Sequence, residues 1–309
     1  MQYLEISPTI RINYTIHQPS PSPSSSTSPR PRPWIILING LADPQTTWAA
    51  QVSAFTSAGY TVLTYDNRGI GLSSRPSRPD ERWTAEDMAS DLRALVTTLD
   101  IPRPYHILGI SMGGMIAQTY ALNYCCGGND SSVELFSLML CCTYAAPGPF
   151  CSRMFGLWGD MARQMSVSDV MRDVLLWCFT PEWFADPASA FHPHPGRQGN
   201  ELAEIEAEMA KMDEEMGREA YLAQLNVITS FDTRKQVGKL AGLKAHVNVL
   251  VGEQDILIPN VVSAELADLV DGSYWEVTEG GHACNWEYPD KFNESVLERF
   301  DLAEEKKGL

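Results

Sequence analysis

Basic residues are scarce in this chain of 309: 23 Lys and Arg stand against 39 Asp and Glu, a formal charge of −16. A field of that sign repels phosphate backbones and anionic headgroups, which argues against nucleic acid and anionic membranes as partners. Long apolar runs are missing too. No stretch approaches the ~18 consecutive apolar residues that a spanning helix needs. The opening, MQYLEISPTIRINY, has no basic start followed by an apolar run, so no secretion signal is read there. Cysteine is odd in number, seven in all, and two pairs are adjacent, at Cys125–Cys126 and Cys141–Cys142. Neighbouring residues rarely bridge each other, so the pattern predicts reduced, buried thiols and a cytoplasmic location rather than a disulfide scaffold. Without a secretion signal, the glycosylation sequons at Asn13, Asn129 and Asn293 carry little weight. Metal-ligand spacing is absent as well. His192 and His194 sit in a loop, HPHPG, with no partner ligands in sight, and are read as solvated.

What is present is ordinary globular material, 44% hydrophobic and 20% charged. The length predicts one to two domains with a core that needs no staple. One low-complexity stretch, 19–33, is rich in Pro and Ser and is expected to form a surface loop. Two short strand-like runs, 3–6 and 11–17, precede it. After it, apolar runs at 34–39, 61–66, 105–110 and 135–142 alternate with helical patterns near 45–58, 84–100 and 111–125. That alternation predicts a parallel sheet covered on both faces. From 147 to 231 no convincing strand appears. Its clearest helix is predicted over 201–220, where Leu202, Ile205, Met209, Met212 and Met216 form one apolar stripe. Alternation resumes with strands at 246–252 and 273–278 and helices near 261–270 and 289–302. The expected architecture is an α/β core, 1–146 and 232–309, with a helical cap or lid at 147–231.

Gly109-Ile110-Ser111-Met112-Gly113 directly follows a strand run and opens a helix. The reason for these residue types is steric: a sharp strand-to-helix turn presents the Ser hydroxyl, and Gly on both sides permits close backbone approach. A Ser hydroxyl is a poor nucleophile without a base. Of the six His, His17 and His106 lie within strand runs and His246 precedes one. His282 instead follows a strand, in Gly280-Gly281-His282-Ala283, where ligands meet an open parallel sheet. The base needs an acid to hold its tautomer. Asp255, in Val251-Gly252-Glu253-Gln254-Asp255, ends the preceding strand, with Glu253 as the nearby competitor. The chain order is Ser111, Asp255, His282.

These residues resemble the α/β-hydrolase superfamily over nearly the whole chain. The resemblance includes Asn39-Gly40-Leu41, the run from Asp66 to Ser73, and the segments around Ser111, Asp255 and His282. It implies backbone oxyanion donors at Met112 and Leu41, with Asp66 and Arg68 bracing a turn. The stretch from Gly281 to Pro289 is similar to the enol-lactone and small-ester hydrolase branch. A serine nucleophile implies esters, lactones, thioesters or amides, since halide and epoxide hydrolysis in this superfamily use Asp.

The expectation is a serine hydrolase acting on a medium-sized, largely apolar small molecule, an ester or lactone, through an acyl-enzyme and with no metal or organic cofactor. Met154, Phe155, Trp158, Met161, Met165, Trp177, Phe179, Trp183 and Phe184 are the residues from which the lid would draw its packing and its apolar pocket wall. Four readings remain open on the same residues: a thioesterase, an aminopeptidase-like hydrolase that would use the acidic helix, a triad-based lyase, and a receptor without turnover.

Overall fold

The computed structural model describes residues 2–20, 32–126, 135–185 and 201–308. Most of the Pro/Ser-rich stretch, His192, His194 and Asn129 lie outside them. Eight strands form one sheet: β1 (Gln2–Ser7), β2 (Ile10–His17), β3 (Trp34–Ile38), β4 (Thr61–Tyr65), β5 (Tyr105–Ile110), β6 (Leu135–Cys141), β7 (His246–Gly252) and β8 (Ser273–Val277). Their spatial order is β1-β2-β4-β3-β5-β6-β7-β8. β1 and β2 run antiparallel at one edge, and every pairing from β4 to β8 is parallel.

Strand residues alternate between the two faces, as the pleat requires. Ile36, Ile38, Leu63 and Ile107 join one buried cluster, whereas Ile35, Leu37, Val62 and Leu108 join the other. Helices α1 (Ala49–Ser57), α2 (Ala85–Thr98) and α3 (Met112–Tyr120) follow β3, β4 and β5 in turn. Thr84 caps α2 with a reciprocal pair of bonds to Asp87, which explains the abrupt start after an extended loop.

Between β6 and β7 the regular elements are all helical among the described residues: α4 (Pro149–Gln164), α5 (Val167–Cys178), α6 (Glu201–Met209), α7 (Met212–Glu215) and α8 (Arg218–Ser230), with short 3-10 turns. The single helix expected over 201–220 is instead three. Its apolar stripe is real: Ile205, Met209, Met212 and Met216 are buried. What the periodicity could not show is Gly217, whose φ of +78° breaks the helix and turns the chain into α8. The chain closes with α9 (Asn260–Val270), α10 (Cys284–Glu287) and α11 (Pro289–Glu305). α1 and α11 cover one face of the sheet, and α2, α3 and α9 the other. Among the described residues no helix is long and apolar enough to cross a membrane.

Several sequence-level suspects are structural. Arg68 forks onto Asp91 with two bonds of 2.6 Å. Asp66 accepts the N–H groups of Gln45 and Leu72, bracing its turn. His106 is fully buried, bonded to Ser137 at 2.7 Å and packed on Phe300. All seven cysteines are free thiols.

Candidate active site

The turn from β5 into α3 is as tight as its residues suggest. Ser111 adopts φ 54° and ψ −120°, a strained conformation for a residue with a side chain. The turn is locked on both sides. A Cβ on Gly109 would lie 2.2 Å from the Gly113 carbonyl oxygen, and one on Gly113 would lie 2.1 Å from that of Ile38. No other residue type fits either place. The Ser111 N–H donates to the Cys141 carbonyl at 2.8 Å, pinning the turn to the next strand.

Asp255 and His282 come from the loops after β7 and β8, at the same carboxyl edge of the sheet. His282 Nδ1 bonds Asp255 Oδ2 at 2.8 Å, and the two side chains are 7% and 0% exposed. The other carboxylate oxygen accepts the N–H groups of Leu257 at 3.0 Å and Ile258 at 2.9 Å. Because a carboxylate only accepts, the imidazole must place its proton on Nδ1, which leaves Nε2 as the acceptor. Glu253, the competitor by sequence, is exposed and accepts the Glu279 N–H instead. Ser111 and His282 line one cavity together.

Leu41 lines that cavity as well. Met112 is the first residue of α3, where a backbone N–H has no partner within the helix. The loop carrying Leu41 is held by Asn39, which the sequence placed in the Asn39-Gly40-Leu41 run, and by Gln224, which it did not single out. The Asn39 amide donates to the Pro44 carbonyl and the Thr47 hydroxyl and accepts from the Trp48 indole. Gln224, fully buried on α8, accepts the Ala42 N–H and donates to the Arg68 carbonyl, both at 2.9 Å. Glu287 does the same for the His282 loop. Its carboxylate accepts from Gly281 N–H, Thr180 N–H and the Thr180 hydroxyl, and burial raises its pKa above the ordinary carboxylate value. Asn39 and Glu287 lay in stretches with a recognisable pattern. Gln224 has no sequence signal at all.

Of the expected lid residues, Phe155, Trp158 and Phe179 line the cavity. Trp183 stacks behind Phe179 at 5.1 Å, and Met165 faces solvent. Met171, Leu175, Ile205, Met209 and Ile228 complete the apolar wall from the helical stretch.

Two polar features were not anticipated. Cys142 Sγ, Asp255 and His282 bring potential ligand atoms within 4.8 Å of one another. Those atoms are already engaged: His282 Nδ1 with Asp255, and Cys142 with Cys284 at 3.9 Å. Contact with Cys284 and burial both push the Cys142 thiol well above its ordinary pKa, so a metal would have to displace two held protons. The second feature is Asp43, which shares the cavity with Ser111 and His282. Burial pushes its carboxyl up to about 6, against the pull of His282.

Comparison with known proteins agrees with this architecture. The family model for the alpha/beta hydrolase fold matches residues 33–289. A curated relative named "Putative carbamate hydrolase RutD", from Caulobacter segnis, is 25% identical over 264 residues, 85% of this chain and 89% of its own. Among solved structures, the enol-lactonase from Burkholderia xenovorans superposes with a TM-score of 0.74 at 24% identity, covering 97% of this chain and all of that one. A thermophilic esterase from Thermogutta terrifontis reaches 0.75 at 20% identity, over 98% of this chain and 99% of its own. With the matched region spanning the whole parallel part of the sheet and all three loops that carry Ser111, Asp255 and His282, the chain belongs to the α/β hydrolase fold family.

Proposed function

We propose that the protein is a serine hydrolase that cleaves an ester or lactone bond of a medium-sized, largely apolar small molecule. The observation that carries this reading is the paired arrangement of Asp255 and His282 beside Ser111 on one apolar cavity. In the proposed cycle, Ser111 Oγ attacks the substrate carbonyl carbon while His282 Nε2 takes the hydroxyl proton. Asp255 holds the imidazole and offsets its charge once it becomes imidazolium. The N–H groups of Leu41 and Met112 receive the oxyanion, each contributing about 3 kcal/mol in comparable sites. The C–O bond to the leaving group breaks as His282 returns the proton to it. Water then enters, gives a proton to His282 and attacks the acyl carbon; the bond from that carbon to Ser111 Oγ breaks as His282 returns the proton to Oγ, and the acid product leaves.

Positions 147–231 serve as the lid in this reading, since their helices supply most of the apolar wall. Seven free thiols suit a reducing compartment such as the cytoplasm. Ser111 should react with a fluorophosphonate in the wild type and not in Ser111→Ala; equal labelling of both removes the nucleophile assignment. A series of nitrophenyl esters of increasing acyl length should show rising kcat/KM up to medium length.

A second reading follows from the RutD relatives: the same serine attacking a carbamate carbonyl. The apolar wall favours the ester or lactone. Including carbamic acid esters in the same series decides between them, because faster turnover of the carbamates at equal size would overturn the preference.

A further inference from the structure

The wall of the cavity is apolar apart from a few groups, and one of these has no partner among the described residues. Asp43 lies in the loop after β3, two residues beyond Leu41. Its carboxylate makes no hydrogen bond or ion pair with any described residue; the only charged group acting on it appreciably is His282. Its position is close to the nucleophile. A Cβ placed on Gly40 would meet Asp43 Oδ2 at 3.0 Å and Ser111 Cβ at 3.5 Å, so carboxylate and serine flank the same point. Among the described residues no Lys or Arg lines the cavity. Five aromatic rings do: Trp48, Phe155, Trp158, Phe179 and Trp286.

A lone carboxylate against an apolar wall is costly, and proteins ordinarily pair such a group or replace it. Asp255 in the same molecule is saturated by three donors. Among the described residues nothing comparable serves Asp43. Its side chain is only partly enclosed and lines the cavity, so a ligand there can supply the partner, and that partner would be positive. Aromatic faces attract cations through their quadrupole, and a chain with a formal charge of −16 draws cations and repels anions at long range.

We propose that Asp43 and the aromatic wall form a subsite for a cationic nitrogen, so that the substrate is an acyl compound carrying a protonated amine or quaternary ammonium a few bonds from its scissile carbonyl. This rests on Ser111 being the nucleophile, and it narrows that reading: the body of the substrate remains apolar, with one positive charge held by Asp43. Acyl groups bearing a carboxylate are rejected by the same residue.

The test compares pairs of equal shape that differ only in charge. Butyrylcholine is set against its carbon isostere, in which a tert-butyl group replaces the trimethylammonium. On the acyl side, the nitrophenyl ester of trimethylammonio-butanoic acid is set against its tert-butyl isostere. In the wild type, one pair should favour the cation in kcat/KM by on the order of 30-fold. In Asp43→Asn that ratio should fall to within about threefold of one, whatever the absolute rates. A wild-type ratio near one in both pairs, or a ratio unchanged by the substitution, overturns the proposal.

Binding gives an answer that does not need turnover. Benzyltrimethylammonium should raise the melting temperature of the wild type and not that of Asp43→Asn. If the neutral esters are not hydrolysed and Ser111 is not labelled, the hydrolase reading fails, and the melting shift alone then decides the subsite. Neutral esters hydrolysed without charge preference or melting shift leave the hydrolase reading intact and remove the subsite.

Discussion

Asp255 and Asp43 both act on His282, one from the loop after β7 and the other from the loop after β3. The first is a finished piece of structure. Two backbone N–H groups and the imidazole meet its two oxygens, and its side chain is fully enclosed. The second has no donor among the described residues, and burial lifts its carboxyl to about 6. Both are acids beside a catalytic histidine candidate, yet only one is satisfied by the fold. A carboxylate whose partners are built in serves the protein's own geometry. One left without partners is a place where the fold has kept a cost that a ligand can offset.

The comparison breaks most easily at Asp255. Asp255→Asn keeps the size but offers an amide where Nδ1 needs an acceptor, so the imidazole is free to take the wrong tautomer. The expected loss is about 10⁴-fold in kcat on a neutral nitrophenyl ester. Initial rates in the purified variant measure it. A loss below about tenfold would show that Asp255 does not set the state of His282, and the contrast between the two acids would lose its basis.

Asp43 should respond in the opposite direction, in stability rather than rate. A carboxyl raised from 3.8 to about 6 on folding is ionised more readily in the unfolded chain. Below about pH 4 both states hold the proton and Asp43 has no effect. Between about pH 4 and 6 the unfolded state loses its proton first and the native state is penalised, and the penalty is complete above that window. Asp43→Asn removes the ionisation, so it should stabilise the free protein by roughly 2–3 kcal/mol at pH 8 and by almost nothing at pH 4. Urea unfolding at the two values measures the difference. Equal effects at both would mean the carboxyl is not held in a costly state, and the comparison with Asp255 would reduce to geometry.

The parts of the molecule that were legible in the sequence share a physical cause. The parallel strands from β3 to β7 are continuous apolar runs because both faces are covered, and Ser111 and Asp255 follow such runs; His282 follows β8, an edge strand that is largely exposed. A residue at a strand's carboxyl end inherits its location from the sheet. Asp43 had the same advantage of place, two positions after Leu41, but its meaning lies in what does not bond to it, and an absent partner leaves no trace in a sequence. Gln224 was hidden for the opposite reason. It sits on α8, far along the chain, and touches the β3 loop only once the helices between β6 and β7 have packed. The break between α6 and α7 left no mark because the apolar stripe of Ile205, Met209, Met212 and Met216 runs across it, and the stripe ends one residue before Gly217 turns the backbone.

Gln224 allows the smallest and most discriminating test, since it supports the loop on which Leu41 and Asp43 stand. Its side chain accepts the Ala42 N–H and donates to the Arg68 carbonyl. Gln224→Ala leaves a buried N–H without a partner next to a proposed oxyanion donor, at a cost of about 1–3 kcal/mol in stability. If the bond also positions the loop, kcat on a neutral ester should fall about tenfold with KM changing less, because the oxyanion forms only after binding. Gln118 is the control. It is equally buried, bonds the Tyr144 carbonyl and the Thr233 hydroxyl, and among the described residues has no hydrogen bond to the β3 loop. Gln118→Ala should lose comparable stability without the fall in kcat. Should both variants lose rate in proportion to stability, Gln224 merely holds the fold together, and the β3 loop owes its shape to the bonds of Asn39 and Asp66.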